Sequence, residues 1–398
     1  MHKPTDTLHP ERVYLDHNAT TPLSNTIRTR WVELFDLWGN PSSIHTSARP
    51  SKQWLRETKQ KIALNLGCSP LEIIFNSGAS EGNNSVLKSV WADRGMARPE
   101  FLISQVEHPS VIKTAEHLAT QGAVVKFIPV SRSGELDLDF IRAHISNKTA
   151  LVSVMYANNE TGSVFPIKEI ATLAHSHGAL MHSDCVQMLG KSNTIFSELN
   201  LDYGTFSAHK FYALKGVGFT YVKKASPWQA LIHGGGQERA RRGGTENILG
   251  IATLGIMFDQ LFLAKDKIQE MTRLRDLFET LTLGEISEVS VTAAESLRLS
   301  NTSNLIIGNV DGETLLMSLD LKGFSVSTGA ACSSGNPEPS PVLLAMGLTR
   351  NEAQNSLRIS IGWQTTEDEI RSFVKTLHDV VSKLRLLNDN PEVKHVSL

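Results

Sequence analysis

Short β-rich apolar runs alternate with helical stretches between about residues 70 and 222, the pattern required by a mostly parallel sheet covered by helices. The runs predict strands near Glu72 to Phe75, Phe101 to Ser104, Val124 to Pro129, Ala150 to Met155, Ala179 to Ser183, Tyr203 to Phe206 and Val217 to Val222. Helix starts fall between them: Ser80-Glu81 opens one, Pro109-Ser110 another, and Pro166 stands where a first-turn proline is tolerated before Ile167 to His177. After Thr245 the pattern changes to one long helical stretch from Asn247 to about Thr282, a β-rich piece around Asn304 to Val310 and a final helix from Thr366 to Leu387. The expected class is α/β, with a seven-stranded, mostly parallel sheet in a large domain over residues 16–260 and a smaller α+β domain from residues 1–15 and 261–398. The segment around Tyr14 to Pro22 is expected to cross to the other lobe or to line the cleft, and no repeat, low-complexity tract or heptad seam is found.

At 398 residues the chain exceeds the size at which one core stops growing, which agrees with two lobes. A formal net charge of -2 gives no reason to expect bulk binding to nucleic acid or to an anionic membrane. Residues Met1 to Arg12 are polar and carry proline, without the apolar core of a secretion signal, and no run is long and apolar enough to span a bilayer. Cys68, Cys185 and Cys332 are widely spaced with no C-x-x-C pair, against a disulfide framework or a zinc knuckle. No metal site is expected, and a reducing cytoplasm fits best.

In an open α/β sheet ligands sit beyond the carboxyl ends of the strands, and the polar clusters of this chain fall there. Lys210, in Ser207-Ala208-His209-Lys210, trails Asp184 by about one strand-loop-strand unit. An amine and a carboxylate so placed are what pyridoxal 5'-phosphate needs, one to hold its aldehyde and one to partner its ring nitrogen. Taken singly, each also fits an ordinary surface charge. Asn76-Ser77-Gly78-Ala79-Ser80-Glu81-Gly82 offers backbone amides, Ala79 among them, and the Ser80 hydroxyl to a phosphate; a plain capping box is the alternative. His108, after a strand end, is placed to lie flat on a pyridine ring and carry protons, or is a solvated loop histidine. Asn159 and Gln187 suit the ring hydroxyl and a substrate carboxylate, or simple turn chemistry.

Cys332 lies among glycines, serines and a proline in a loop over about residues 327–341, a setting for a mobile, exposed thiol able to collect a group and carry it, the alternative being an incidental surface cysteine. Arg358 sits on an alternating strand, Ser356 to Ser360, that aims its guanidinium into the cleft for an α-carboxylate, unless the strand is an edge and the arginine faces solvent. The glycine- and arginine-rich stretch from Gly234 to Thr245 lacks interleaved aromatics, so phosphate closure across a dimer interface is preferred to direct nucleic-acid binding.

Lys210, Asp184, Cys332 and Arg358 lie in the order and close to the spacing found in cysteine desulfurases. The chain resembles the group I (NifS/IscS-like) members of that family, which are fold type I pyridoxal phosphate enzymes of aminotransferase class V. The resemblance covers nearly the whole chain, through Tyr14-Leu15-Asp16-His17-Asn18-Ala19-Thr20-Thr21-Pro22, Ser77-Gly78-Ala79-Ser80-Glu81, Asn158-Asn159-Glu160, Ser207-Ala208-His209-Lys210 and Gly234-Gly235-Gly236-Gln237-Glu238-Arg239. It implies that Lys210 bonds the coenzyme and moves the substrate α-proton, that Asp184 pairs with the ring nitrogen, and that Gln187 and Asn159 contact the ring side. It further implies that His108 stacks on the ring and that Ser80, Ser207 and His209 hold the phosphate, with Thr245 reaching in from the second copy of a homodimer. Arg358 would grip the carboxylate of L-cysteine, and Cys332 would take its sulfur as a persulfide, releasing L-alanine and passing the sulfur to an acceptor protein. His108, or another local base, would deprotonate the incoming thiol or Cys332.

The chain departs from the family pattern at Ser80, where threonine is common, and at Cys185, where alanine usually follows the aspartate. Phe211-Tyr212-Ala213-Leu214-Lys215 lacks the usual glycine-proline, and Gly362-Trp363-Gln364 replaces Gly-Arg-Phe. The tail does not match the housekeeping members, so docking to an iron-sulfur scaffold through it does not follow. Iron-sulfur cluster assembly, tRNA thiolation, thiocofactors and sulfur-modified DNA all remain as destinations for the sulfur. A selenocysteine lyase or other β-eliminating class V enzyme is the near alternative, and a non-catalytic sulfur-pathway scaffold the distant one.

Overall fold

The computed structural model describes residues 12–329 and 338–389. Seven strands form one sheet in the spatial order Ile73–Asn76, Gly218–Val222, Tyr203–Ser207, Leu180–Asp184, Thr149–Ser153, Glu100–Ser104 and Val124–Ile128. All neighbours run parallel except Gly218–Val222, which is antiparallel to both of its partners. The central strands are buried along their whole length because helices cover both faces, so their sequences read as continuous apolar runs rather than alternations. One apolar cluster, including Leu102, Val152, Met181 and Phe206, lies on one side of the sheet, and a second, with Ile103, Leu151 and Tyr203, on the other.

A three-stranded antiparallel sheet, with Thr302–Ile307 between Val289–Val291 and Ser356–Ser360, packs on the helices Lys265–Glu285 and Glu367–Asp389 through Leu305, Leu357, Leu274 and Phe373. Tyr14 to Pro22 both crosses and lines. Val13–Tyr14 pairs in parallel with Phe324–Ser325, His17 N donates to Ser360 O at 3.2 Å, and Thr21 N donates to His209 O at 2.9 Å. The segment thereby stitches the small sheet to the end of the large one.

Helix starts follow local chemistry. Pro166 is the N-cap of Ile167–Ser176, where its missing N–H costs nothing, and Thr366 and Glu369 exchange hydrogen bonds as a capping box before Glu367–Asp389. The single helical stretch expected from Asn247 to Thr282 is instead two helices, Ile248–Leu261 and Lys265–Glu285, bent by 80°. The physical reason is burial: Ile248–Leu261 is apolar nearly all round and packs against Arg49–Leu66, with Gly255 set against Thr58, whereas Lys265–Glu285 is amphipathic and serves the small sheet. No single helix among the described residues is long and apolar enough to cross a membrane.

Phe219 stacks on Phe206 at 4.5 Å between ring centroids and meets Phe258 at 5.8 Å. Replacing this fully buried ring, Phe219→Ala, is expected to cost about 3–5 kcal/mol, read as a lowered denaturant midpoint. A midpoint equal to that of the wild type would mean that the core under the lysine-bearing strand is not close-packed.

Candidate active site

Lys210 ends a single 3-10 turn, Ala208–Lys210, that follows directly on the buried strand Tyr203–Ser207. The neighbouring parallel strand ends at Asp184, which lies opposite Thr205, so the amine and the carboxylate leave the sheet side by side. Lys210 Nζ donates to the carbonyls of Asn18 at 2.6 Å and Ala19 at 2.8 Å. Burial pushes its pKa down to about 8; the Arg358 guanidinium adds to the effect, and Asp16 and Asp184 oppose it. Asp184 is held by two donors, Asn83 Nδ2 at 2.8 Å and the Val186 amide at 3.0 Å.

Asn83 ties this carboxylate to His108. Its Nδ2 also donates to Ser110 Oγ at 2.9 Å, and its Oδ1 accepts from the Thr205 hydroxyl at 2.5 Å. The Ser110 amide donates to His108 Nδ1 at 3.1 Å, and Ser110 Oγ lies 2.7 Å from the same nitrogen. An amide can only donate, so Nδ1 is the bare nitrogen and the neutral ring carries its proton on Nε2. Desolvation and the nearby Lys210 lower the basicity of His108, while Asp184 raises it.

On the opposite side of the cleft, Gly78 adopts φ 143°, and Ala79 opens the helix Ala79–Arg94 with its amide on Ser207 Oγ at 2.8 Å. The first-turn amides of this helix, the exposed Ser80 and His209 make an anion-seeking corner. His209 is pushed down to about 4 by burial, then by Lys210, so it is neutral and bonds Thr20 Oγ1 at 3.1 Å. Arg242 forks onto Glu81 at 2.9 and 3.1 Å, which fastens the glycine-arginine stretch to the same helical turn.

Arg358 is buried with Nη2 on Asp16 Oδ1 at 2.7 Å, Nη1 on the Asn159 carbonyl at 3.3 Å, and Nε without a partner. Its strand is an outer one of the small sheet, but Ser327 bridges to Arg358 and Asp16 to Ser360 along the free side and every residue is buried, so the arginine does not face solvent. Gln187 Nε2 donates to the Asn18 carbonyl at 3.3 Å, and its Oε1 accepts from Lys191. One cleft of about 380 Å³ gathers Lys210, Asp184, Gln187, His108, Asn159, Ser80, Ala79, Ser207, His209 and Arg358. Thr245 is exposed and stands outside it. Cys332 lies outside the described residues. Cys185 is fully buried with its thiol pushed far above the ordinary range, so it is inert as a nucleophile, and burial raises Cys68 to about 12.

Sequence reasoning missed Asn18, Asn83 and Lys191 as members of this site. Asn18 was within reach, since Asp16 to Thr21 is a polar patch between apolar residues, and Asn83 stands one helical turn beyond Ser80. Lys191 gives no local sign: it follows a glycine in a loop and reads as a surface lysine.

The aminotransferase class-V family model matches residues 13–373. A cysteine desulfurase of Nostoc sp. is 39% identical over 381 residues, spanning 94% of each chain. This chain belongs to the class-V aminotransferases, in their cysteine desulfurase family. Among solved structures, a NifS-like protein aligns with the desulfurase at a TM-score of 0.87 and 33% identity, over 94% of this chain and 100% of its own. SspA in complex with cysteine aligns at a TM-score of 0.77 and 29% identity, over 89% and 99%. As a member of this family the desulfurase depends on pyridoxal 5'-phosphate. Its residues fit that coenzyme and an amino-acid substrate: a positive-φ glycine at a helix N-terminus suits a phosphate, a buried carboxylate fixed by two donors suits a ring nitrogen, and the orphaned Arg358 Nε suits the substrate's anion.

The lowered pKa of Lys210 is testable in coenzyme-free desulfurase. The amine is protonated and inert below about pH 8 and free above it, so labelling of Lys210 by an arylating reagent, followed by peptide mass, is expected to titrate near 8. Arg358→Leu removes a repelling charge and is expected to move that midpoint up. A midpoint near the ordinary lysine value of about 10.4 in the unmutated protein would contradict the electrostatics described above.

Proposed function

We propose that this desulfurase takes sulfur from L-cysteine onto Cys332 as a persulfide, releases L-alanine, and hands the sulfur to an acceptor protein. The observation that carries the reading is the cleft itself, where an amine of lowered pKa, a doubly held carboxylate and an arginine with a free Nε converge from separate strands. The neighbour solved with cysteine supports the choice of substrate. Bound in the cleft, pyridoxal 5'-phosphate supplies the electron sink that lets the Cα–H bond of an amino acid break.

The chain's own residues do the rest. Lys210 would hold the coenzyme and move the α-proton, a task for which an amine titrating near 8 is matched to neutral pH. Asp184 would partner the ring nitrogen, and Gln187 and Asn159 would address the ring hydroxyl. Ser80, Ala79, Ser207 and His209 would hold the phosphate. Arg358, with Asn159 beside it, holds the substrate carboxylate in place of part of its bond to Asp16. The Cys332 thiolate attacks the substrate sulfur, a sulfur–sulfur bond forms, and the carbon–sulfur bond breaks. We assign His108 both the stacking role and, through Nε2, proton transfer with the incoming thiol or Cys332, the Ser110 amide occupying its Nδ1.

The exposed Thr245 fits a role in trans, with the partner subunit's Thr245 reaching the phosphate in a homodimer. A large domain over residues 16–260 would carry the coenzyme and residues 261–398 the sulfur-accepting loop. A reducing compartment such as the cytoplasm suits a persulfide carrier.

Cys332→Ser is expected to keep the yellow coenzyme absorbance and to lose alanine release from L-cysteine by at least about 100-fold. Undiminished alanine and sulfide release from that variant would defeat the reading. Lys210→Ala is expected to leave no borohydride-reducible lysine adduct; an adduct that persisted would move the anchor elsewhere.

A further inference from the structure

Glu160 follows Asn159 directly, and nothing in the chemistry above uses it. Its side chain is buried against both described ends of the segment that carries Cys332. Glu160 Oε2 accepts from the Ser340 hydroxyl. Gly329 comes so close that a Cβ there would stand 2.5 Å from the same oxygen and 2.8 Å from the Cβ of Ser340, which accounts for glycine at 329. Ser340 is itself fully buried and caps Pro341–Ala345 by accepting from the Leu343 amide at 3.1 Å.

The same short stretch also grips the arginine. The Asn159 carbonyl accepts from Arg358 Nη1 at 3.3 Å, and Ser327 pairs with the Arg358 backbone in both directions, at 2.7 and 3.2 Å. Asn158 Oδ1 locks the turn by accepting from the amides of Glu160 at 2.8 Å and Thr161 at 3.0 Å. Two adjacent residues therefore fasten Arg358 on one side and the stems at Gly329 and Ser340 on the other. Burying a carboxyl for purely local packing is costly, and here burial raises Glu160 to about 7 against the pull of Ser340 and Arg358. A surface hydroxyl or a leucine would serve packing without that cost.

We propose that Glu160 is a positioning residue that fixes the stems of the Cys332 segment relative to Arg358, and so sets the reach of the acceptor thiol to the sulfur of a substrate held by its carboxylate. The proposal rests on the sulfur-transfer reading and adds to it a residue outside the reacting groups. It separates two capacities of one enzyme: moving the α-proton, which needs Lys210 and the coenzyme, and accepting sulfur, which needs the stems in register.

Two assays on the holoenzymes of Glu160→Ala, Ser340→Ala and Glu160→Gln distinguish them. Deuterium exchange at Cα of L-alanine in D2O uses the coenzyme and Lys210 but no thiol, while single-turnover persulfide on Cys332 from L-cysteine is read by mass after alkylation. Both alanine variants are expected to hold exchange within about twofold of wild type while persulfide formation falls on the order of 10- to 100-fold. Glu160→Gln, which keeps an acceptor for the Ser340 hydroxyl, is expected to recover most of the rate. Persulfide formation unchanged in the alanine variants, or exchange falling in parallel with it, overturns the positioning role. Wild-type enzyme that exchanges the α-proton yet forms no persulfide removes the sulfur-transfer reading itself, a different failure. Should Glu160→Ala not accumulate as folded protein, Ser340→Ala decides.

Discussion

Asn18 is the joint on which both sheets and the cleft depend. It is almost wholly buried, and its backbone amide donates to Ser360 Oγ at 2.9 Å on the small sheet. Its carbonyl accepts from Lys210 and Gln187, its Oδ1 accepts from Lys191 at 3.0 Å and Asn301 at 3.1 Å, and its Nδ2 donates to the Asn159 carbonyl at 3.0 Å and to Thr302 Oγ1 at 2.8 Å. Only a primary amide offers two donors and an acceptor within so short a reach. An aspartate has nothing to donate to Thr302 or Asn159, and a leucine would strand buried partners at about 1–3 kcal/mol each.

Around that joint the fold collects positive charge. Lys191 is buried with its pKa driven well below the ordinary lysine value, by desolvation first and then by Lys210 and Arg358. Asp16 and Asp184 are the carboxylates that offset these cations, and Asp16 is already committed to Arg358. Crowding two amines against the guanidinium favours their neutral forms, and two anions, a phosphate at the helix N-terminus and a carboxylate at Arg358, would favour the charged forms instead. By mass action, ligands that bind only the folded state also hold it folded.

The alternation of apolar runs and helix starts made the seven-stranded sheet legible, since fully buried parallel strands leave uninterrupted apolar stretches. Lys210, Asp184, His108 and Arg358 were legible for a related reason: each stands at a strand end or on a strand whose position the pattern sets. The break at Phe262 to Ala264 was not, because no proline or glycine marks it and only the change of packing partner bends the chain there. Asn83, Lys191 and Glu160 stayed hidden because their meaning lies in partners far off in sequence, 101 residues away for Asn83 and Asp184 and 180 for Glu160 and Ser340. A lysine in a loop and a glutamate in a turn carry no local mark of burial.

The one reversed strand of the large sheet has a bearing on how Lys210 moves. Because Gly218–Val222 returns antiparallel beside Tyr203–Ser207, with Ser207 facing Gly218 and the Ala208 amide bonded to the Val217 carbonyl at 3.1 Å, the lysine grows from a loop clamped at its base. A parallel return would have needed a long crossover, with slack in it. Here the root is immobilised, and any travel of the amine falls to the four methylenes of the side chain alone, a short crank on a rigid mount.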